Sequence, residues 1–332
     1  MSNLQHHEKQ RLMRFKAADG FPITGLLVTN EYTRKEEILH IPVLLQIHGL
    51  LGHFLARGTP RLLPHAMLAH GFNSLSINTR LAAAGQMTSQ GIFDDTIKDI
   101  DAAIELLVQE GFQSIYILGY SLGAGMVVHW AANREHPLVK GLVLEGAGFS
   151  LPDSRRKRWD KWGSSPTYAE VYERAKAILG VDPYRASDDE VFVAYRSSGP
   201  SREPMHSEIY TYKTWWFMIG PEAYGAMTHR HIEQVNVPML LLRGERDPLV
   251  EEWETRALAQ IVQEAGRAEV RVSQISGAGH DCMENSEEML RAIVQMMSAE
   301  SPRSDGHKKQ KRNGRRLRQR TGMNEERSDG DE

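Results

Sequence analysis

The chain has 332 residues, of which 41% are hydrophobic and 25% are charged, and its formal net charge is −3. This composition predicts a globular protein with a core large enough for one large α/β domain or two small ones. The absence of an 18-residue apolar run excludes a membrane helix, and residues 1–14 lack the apolar segment of a secretory signal, so we expect a cytoplasmic protein. A single cysteine, Cys282, excludes a disulfide framework and a cysteine-based zinc site.

The predicted elements begin with a β-hairpin over residues 12–29, with its turn at 18–20. Four short apolar strands follow, separated by helices; the clearest helix begins near Asp94, a suitable cap, and ends at Gly111. The predicted strands are 41–47, 73–78, 114–118 and 139–144, and the helices are 60–70, 94–110 and 126–133. Two more strands, 238–242 and 268–275, alternate with helices 251–264 and 284–297. This alternation predicts the α/β class, with a doubly wound, mostly parallel sheet.

The segment 149–236 interrupts this alternation between the fourth and fifth of these strands. It contains helix-like pieces at 168–179, 188–195 and 205–219, a basic patch at 155–158 and several aromatic residues. Because an unstructured loop of this length is uncommon in a compact domain, we predict a helical cap. Residues 1–148 and 237–300 then form the core domain.

The C-terminal residues 301–332 contain ten Lys or Arg against six Asp or Glu and almost no apolar side chains. Such a segment cannot bury a core, so the sequence predicts a disordered charged tail. It is either a solvated tail without catalytic consequence or a basic arm that contacts an anionic partner. Oligomeric state is left open by the sequence.

The strongest local motif is Gly119-Tyr120-Ser121-Leu122-Gly123, at the point where a predicted strand turns into a helix. A G-x-S-x-G string in this setting is typical of a strained turn that exposes a nucleophilic serine. Serine needs a base to remove its proton, and the base needs an acid to fix its tautomer. His280 and Asp247 follow later predicted strands and can fill these roles, with Glu145 and Glu245 as alternative acids.

The order Ser121, Asp247, His280 is that of the α/β-hydrolases, and the sequence resembles this superfamily from about residue 11 to 299. The resemblance covers serine esterases, lipases and aminopeptidase-like members with a helical cap. The run His48-Gly49-Leu50-Leu51-Gly52 matches the family's His-Gly loop. The resemblance therefore implies an oxyanion hole formed by the backbone N–H groups of Leu50 and Leu122, with His48 bracing the loop. After the second core strand the chain departs from many relatives, since residues 78–85 read Asn-Thr-Arg-Leu-Ala-Ala-Ala-Gly.

Other residues have two interpretations each. Trp215, Trp216 and Phe217 either form an apolar wall of a substrate pocket or pack the cap on itself. His229 and His231 are either metal ligands or, as we expect, polar residues of the cap. His53 and His65 either line the site or, as we expect, face solvent. Cys282 is either a nucleophile or, as we expect, a buried small side chain. No dinucleotide or phosphate-loop glycine pattern occurs, so no cofactor and no metal are predicted.

These features predict a cofactor-independent serine hydrolase that cleaves a small or medium acyl ester or thioester through an acyl-enzyme. A serine in place of the aspartate nucleophile of dehalogenating and epoxide-opening relatives favours acyl transfer from an ester, thioester or amide, with a small molecule as substrate. The alternatives are acyl transfer to an acceptor other than water and a binding module of the same fold without turnover.

Overall fold

The computed structural model describes residues 8–30, 39–87, 91–198 and 207–298 of the chain. The predicted tail, 301–332, lies outside these ranges. The described strands are β1 (Glu8–Lys16), β2 (Pro22–Asn30), β3 (Val43–Ile47), β4 (Asn73–Asn78), β5 (Ile115–Tyr120), β6 (Val139–Glu145), β7 (Val191–Tyr195), β8 (Ser207–Thr211), β9 (Met239–Gly244) and β10 (Val270–Ile275). The described helices are α1 (Thr59–Ala69), α2 (Thr96–Glu110), α3 (Leu122–Asn133), α4 (Leu151–Lys161), α5 (Tyr168–Leu179), α6 (Tyr212–Met218), α7 (Glu252–Ala265) and α8 (Ser286–Ser298).

Eight of these strands form one sheet in the order β1-β2-β4-β3-β5-β6-β9-β10. The hairpin β1–β2 is antiparallel and joins β4 in antiparallel register, whereas β4, β3, β5, β6, β9 and β10 pair in parallel. The central strands β3 and β5 are buried along their whole length, as expected for strands covered on both faces. Because parallel strands end at the same edge, the loops after β3, β5, β9 and β10 share one side of the sheet.

Helices cover both faces of this sheet. One hydrophobic core contains apolar side chains of α1 and α8, including Leu63, Met67 and Ile293. The other core contains residues of α2, α3 and α7, including Ile100 and Val127. The predicted α/β fold with a doubly wound, mostly parallel sheet is therefore confirmed. No helix in the described ranges is both long and apolar enough to cross a membrane.

The segment between β6 and β9 contains α4, α5, α6 and a two-stranded antiparallel sheet of β7 and β8. The predicted helix over 188–195 is wrong, because Val191–Tyr195 is a strand in which exposed and buried side chains alternate. The predicted helix over 205–219 is shorter than expected, since Ser207–Thr211 pairs with β7 and only Tyr212–Met218 is helical. The cap predicted as helical thus includes a small sheet, and its boundaries at 149 and 236 stay a prediction.

The run after β4 that departs from the relatives' pattern contains a buried arginine. Arg80 pairs with Asp99 of α2 at 2.7 Å and with Asp19 of the β1–β2 turn at 2.9 Å. It therefore links the run after β4 to α2 and to the β1–β2 turn.

The start of α2 also differs from the prediction. The cap position is Asp95, whose carboxylate pairs with Lys98 instead of capping the helix, and Asp94 precedes it.

Candidate active site

Ser121 lies at the turn from β5 into α3, with φ of 54° and ψ of −114°. This conformation is sterically unfavourable for a residue with a side chain and is typical of strained turns at functional sites. The turn closes because its flanking residues are glycines: a Cβ on Gly119 would lie 2.3 Å from the Gly123 oxygen, and one on Gly123 would lie 2.6 Å from the Ile47 oxygen. The glycines of the motif are therefore required for the close approach of strand and helix.

His280 and Asp247 come to Ser121 from the loops after β10 and β9. The imidazole Nε2 lies 2.8 Å from Ser121 Oγ, and Nδ1 lies 2.7 Å from Asp247 Oδ2. The Asp247 carboxylate also accepts N–H bonds from Leu249 at 2.8 Å and Val250 at 3.0 Å. Burial alone would raise the pKa of Asp247, but these bonds and the one to His280 outweigh it and hold the pKa below its ordinary value.

The ionised Asp247 fixes the proton arrangement of the site. A carboxylate only accepts hydrogen bonds, so Nδ1 of His280 carries the proton and donates it to Asp247. Nε2 of the neutral ring is then an acceptor, and the Ser121 hydroxyl donates to it. This is the arrangement that a general base needs before it removes a proton from serine.

The two alternative acids have other partners. Glu145 is fully buried, accepts a 2.7 Å hydrogen bond from the Thr59 hydroxyl, and burial raises its pKa well above the ordinary value. Burial therefore disfavours the charged form of Glu145, and its hydrogen bond is to Thr59, not to His280. Glu245 accepts the N–H of Gly277 at 2.7 Å. Of the three acids, only Asp247 hydrogen-bonds His280 in the described part of the chain.

The His-Gly loop after β3 reaches Ser121, since a Cβ on Gly49 would lie 3.2 Å from the Ser121 Cβ. His48 braces this loop: its Nε2 accepts the N–H of Thr79 at 3.2 Å, and its Nδ1 donates to the Gly49 oxygen at 3.0 Å. Burial lowers the pKa of His48 to about 4, so the ring is neutral and serves as a link within the loop. Leu50 of this loop and Leu122, the first residue of α3, both border the cavity beside Ser121.

A cavity of about 140 Å³ opens onto Ser121 and His280. Part of its wall is apolar, with Leu50, Leu151, Leu249 and Val250. Another part is charged and comes from the segment between β6 and β9: Arg155, Arg158, Arg196 and Glu208. The site therefore combines an activated hydroxyl with a small, partly enclosed pocket, the usual form of a binding site for a small molecule.

The aromatic residues predicted as a possible pocket wall lie elsewhere. Trp215, Trp216 and Phe217 do not border this cavity. Trp215 is fully buried, with its ring centre 5.1 Å from that of Tyr168, and Trp216 stacks on Tyr172 at 5.5 Å. The three side chains pack the segment on itself, which was the other interpretation of the sequence.

Replacing Trp215 with alanine should lower the free energy of unfolding by about 3–5 kcal/mol, because it removes a large buried ring. The preferred acyl chain length should not change. Denaturant unfolding and an ester chain-length series measure the two effects, with Trp253→Ala as a control at a half-exposed tryptophan. A changed chain-length preference at unchanged stability would contradict this packing role.

The remaining candidates have structural partners. His229 stacks on Phe149 at 4.3 Å, and His231 lies 3.0 Å from the Tyr224 oxygen. His65 is exposed and contacts Glu8, and neither it nor His53 borders the cavity. Cys282 is fully buried, which raises the pKa of its thiol and disfavours a nucleophilic role. Within the described residues, no three His, Cys, Asp or Glu side chains group in a way that could hold a metal ion.

The charged pocket residues have no assigned role in the sequence-based prediction. Arg155 and Arg158 belong to the predicted basic patch, and their spacing of three places both on one face of a helix. That spacing is the one signal that could have indicated a shared function. Arg196 and Glu208 carry no such signal, because they reach the pocket through β7 and β8, which were not predicted.

The fold of the chain is similar to that of solved esterases. The Pyrococcus furiosus esterase Pf2001 has a TM-score of 0.58 at 15% identity, and the match covers 90% of this chain and 93% of that one. Est1E from Butyrivibrio proteoclasticus has a TM-score of 0.57 at 16% identity, with coverage of 87% and 98%. At these identities the likeness concerns the fold.

The sequence comparisons add the family. A search of curated proteins finds no match. The sequence model of the serine aminopeptidase family S33 matches residues 40–287, which include Ser121, Asp247 and His280. Because this match spans most of the chain, the protein belongs to the serine aminopeptidase S33 family and is a hydrolase of the α/β-hydrolase superfamily.

Proposed function

We propose that the protein is a serine hydrolase that cleaves a small or medium acyl ester or thioester through an acyl-enzyme. The observation that carries the proposal is the unbroken series of hydrogen bonds from Ser121 through His280 to Asp247 beside a partly enclosed cavity. The esterase fold relatives also support ester chemistry. No step of the proposed mechanism uses a cofactor.

In the first half-reaction, Ser121 Oγ attacks the acyl carbonyl while His280 Nε2 takes the hydroxyl proton. Asp247 holds the ring in position and balances the charge of the imidazolium that forms. The N–H groups of Leu50 and Leu122 bind the oxyanion, each contributing about 3 kcal/mol to transition-state stabilisation. His280 then returns the proton to the leaving alcohol or thiol. Water activated by the same imidazole releases the acid from Ser121.

The charge of the cavity favours an ester over the peptide substrate that the family name suggests. An aminopeptidase recognises a free α-amino group, which is cationic near neutral pH and needs a carboxylate partner. Glu208, the carboxylate among the described cavity residues, is already paired with Arg155 and accepts a hydrogen bond from Tyr210 at 2.7 Å. The three arginines of the cavity wall would repel the cationic α-amino group.

A p-nitrophenyl ester series from acetate to dodecanoate tests the proposal. We expect hydrolysis with an optimum among the shorter chains, because the cavity is small, and an initial burst of p-nitrophenol close to one per enzyme if deacylation is the slower step. A fluorophosphonate should label the folded protein and not the heat-unfolded protein. Folded protein that neither hydrolyses the esters nor accepts the label would contradict the proposed function.

A further inference from the structure

Three guanidinium groups surround a single indole in the wall of the cavity. Arg155 and Arg158 come from α4 and Arg196 follows β7, and all three border the cavity that contains Ser121. Their Cζ atoms lie 5.8, 5.6 and 4.8 Å from the ring centre of Trp162. An aromatic face stabilises a nearby cation but does not neutralise it, so the positive charges stay in the pocket.

One carboxylate faces these three cations among the described cavity residues. Glu208 forms a short ion pair with Arg155, and its other oxygen lies 3.6 Å from Arg196 Nη1. The side chains of Arg155, Arg196 and Glu208 are each at most 8% exposed. Buried ions of unequal number are costly unless a further charge compensates them. The pocket therefore has an excess of positive charge that an anionic ligand would balance.

Two other carboxylates, Asp247 and Glu254, interact electrostatically with Arg158 although they are not among the residues that border the cavity. Asp247 is bound to His280 and to two backbone N–H groups, and Glu254 accepts N–H bonds from Phe149 at 2.8 Å and Glu251 at 3.0 Å. Both lower the local positive potential, but neither is hydrogen-bonded to an arginine in the described residues.

Arg158 uses only part of its hydrogen-bonding capacity within the described structure. Its Nη1 donates to the Leu249 oxygen at 2.9 Å, whereas its Nε is buried without a hydrogen-bond partner in the described structure. Arg158 forms no ion pair with Glu208, unlike Arg155. Burial, together with the charge of Arg155, lowers its pKa to about 10, yet the group stays cationic at neutral pH. An unsatisfied buried donor is uncommon in a folded protein, and an acceptor supplied by a ligand would satisfy it.

From this geometry we infer that the cavity binds a carboxylate carried by the substrate itself. This inference rests on the proposed function. Arg158 donates hydrogen bonds to the carboxylate and Arg196 lies near it, while the ester or thioester carbonyl lies at Ser121. A planar guanidinium matches the two oxygens of a carboxylate, and the apolar residues Leu151, Leu249 and Val250 suit the methylene groups between the two ends. The substrate class is therefore a half-ester or half-thioester of a dicarboxylic acid.

The test uses p-nitrophenyl half-esters of glutaric, adipic and suberic acid, each paired with the same compound whose free carboxylate is capped as a methyl ester. Enzyme-free hydrolysis is measured and subtracted for every compound. For at least one chain length, kcat/KM of the native enzyme should be about 10- to 100-fold higher for the free acid than for its capped partner, as expected for a hydrogen bond to a charged group in a buried site. Equal values at every length would overturn the inference.

Substitutions then test the assigned residue. In Arg158→Gln the ratio of free-acid to capped kcat/KM should fall towards one, and Arg158→Lys should restore part of it. Arg156→Gln removes an exposed arginine of the same helix and should keep the native ratio. Because the ratio compares two substrates on one protein, partial loss of folded enzyme does not alter it. A native ratio in Arg158→Gln would overturn the role of Arg158.

A binding measurement separates this inference from the proposed function. Calorimetry on Ser121→Ala with adipate and with dimethyl adipate requires no turnover, and we expect adipate alone to bind. Binding of adipate by a protein that hydrolyses no ester would support the carboxylate site and contradict the proposed function. Hydrolysis of neutral esters without a free-acid preference or adipate binding would overturn the inference and leave the esterase proposal in place.

Discussion

Replacing Ser121 with alanine is expected to lower kcat for ester hydrolysis by about 10⁶-fold, the scale of loss when a serine nucleophile that acts together with its base is removed. The hydroxyl lies 2.8 Å from His280 Nε2, and no other described serine hydroxyl is bonded to that imidazole. Without the hydroxyl no acyl-enzyme forms, and catalysis is limited to what the pocket and the oxyanion donors provide. Stopped-flow and steady-state kinetics on p-nitrophenyl butyrate measure the loss.

The same variant should lose fluorophosphonate labelling while it stays folded, because alanine preserves the Cβ and the backbone at this turn. Ser154→Ala is the matched control, since Ser154 borders the same cavity but has no imidazole partner, and that variant should keep the label. Circular dichroism and thermal unfolding establish that both proteins are folded. Unchanged labelling of Ser121→Ala would show that another residue is the nucleophile.

Replacing Asp247 with asparagine should lower kcat by about 10³- to 10⁴-fold with little change in KM. The amide removes the negative charge that balances the imidazolium. If its NH₂ group faces the ring, it also favours the tautomer in which Nε2 carries the proton, so the imidazole no longer accepts the proton of Ser121. Asp247 is not among the residues that border the cavity, which is why substrate binding should change little. Steady-state kinetics on p-nitrophenyl butyrate measure both constants.

Glu145→Gln is the matched control for this prediction. Glu145 is also a buried acid at the carboxyl end of a strand, but burial raises its pKa and its carboxyl group is hydrogen-bonded to Thr59, a contact that a glutamine amide can keep. Its substitution should change kcat by less than about tenfold, since the carboxyl group is bonded to Thr59 and it is Asp247 that is bonded to His280. If Glu145→Gln is the impaired enzyme and Asp247→Asn the active one, the third member of the triad is Glu145.

The core of the fold follows from local patterns that tertiary contacts do not override. Strands buried on both faces, such as β3 and β5, are continuous apolar runs, and their positions agree with the predicted ones to within a few residues. The site residues follow from the same logic. Ser121, Asp247 and His280 follow the ends of β5, β9 and β10 by one, three and five residues, so prediction of the strands also predicts that the three loops meet at one edge.

The segment between β6 and β9 was less predictable for physical reasons. Val191–Tyr195 is a short apolar piece whose strand conformation depends on pairing with β8, a partner not evident from local sequence. An aromatic residue such as Trp215 is equally suitable for a pocket wall or a packed interior, and only the surrounding helices decide between them. The charged wall of the cavity joins Arg158 with Arg196 and Glu208, which are distant in sequence.

The backbone conformation of Ser121 lowers the stability of the folded protein but positions the hydroxyl for the proposed reaction. Its positive φ places the hydroxyl within reach of His280, and such a conformation costs roughly 1–3 kcal/mol for a residue with a Cβ. The contacts of β5 and α3 with the rest of the core must offset that cost continuously, whether or not substrate is bound. Glycine, which lacks the Cβ, would relieve the strain and eliminate the nucleophile in the same step. Selection for thermal stability alone would therefore act against the residue on which the proposed activity depends.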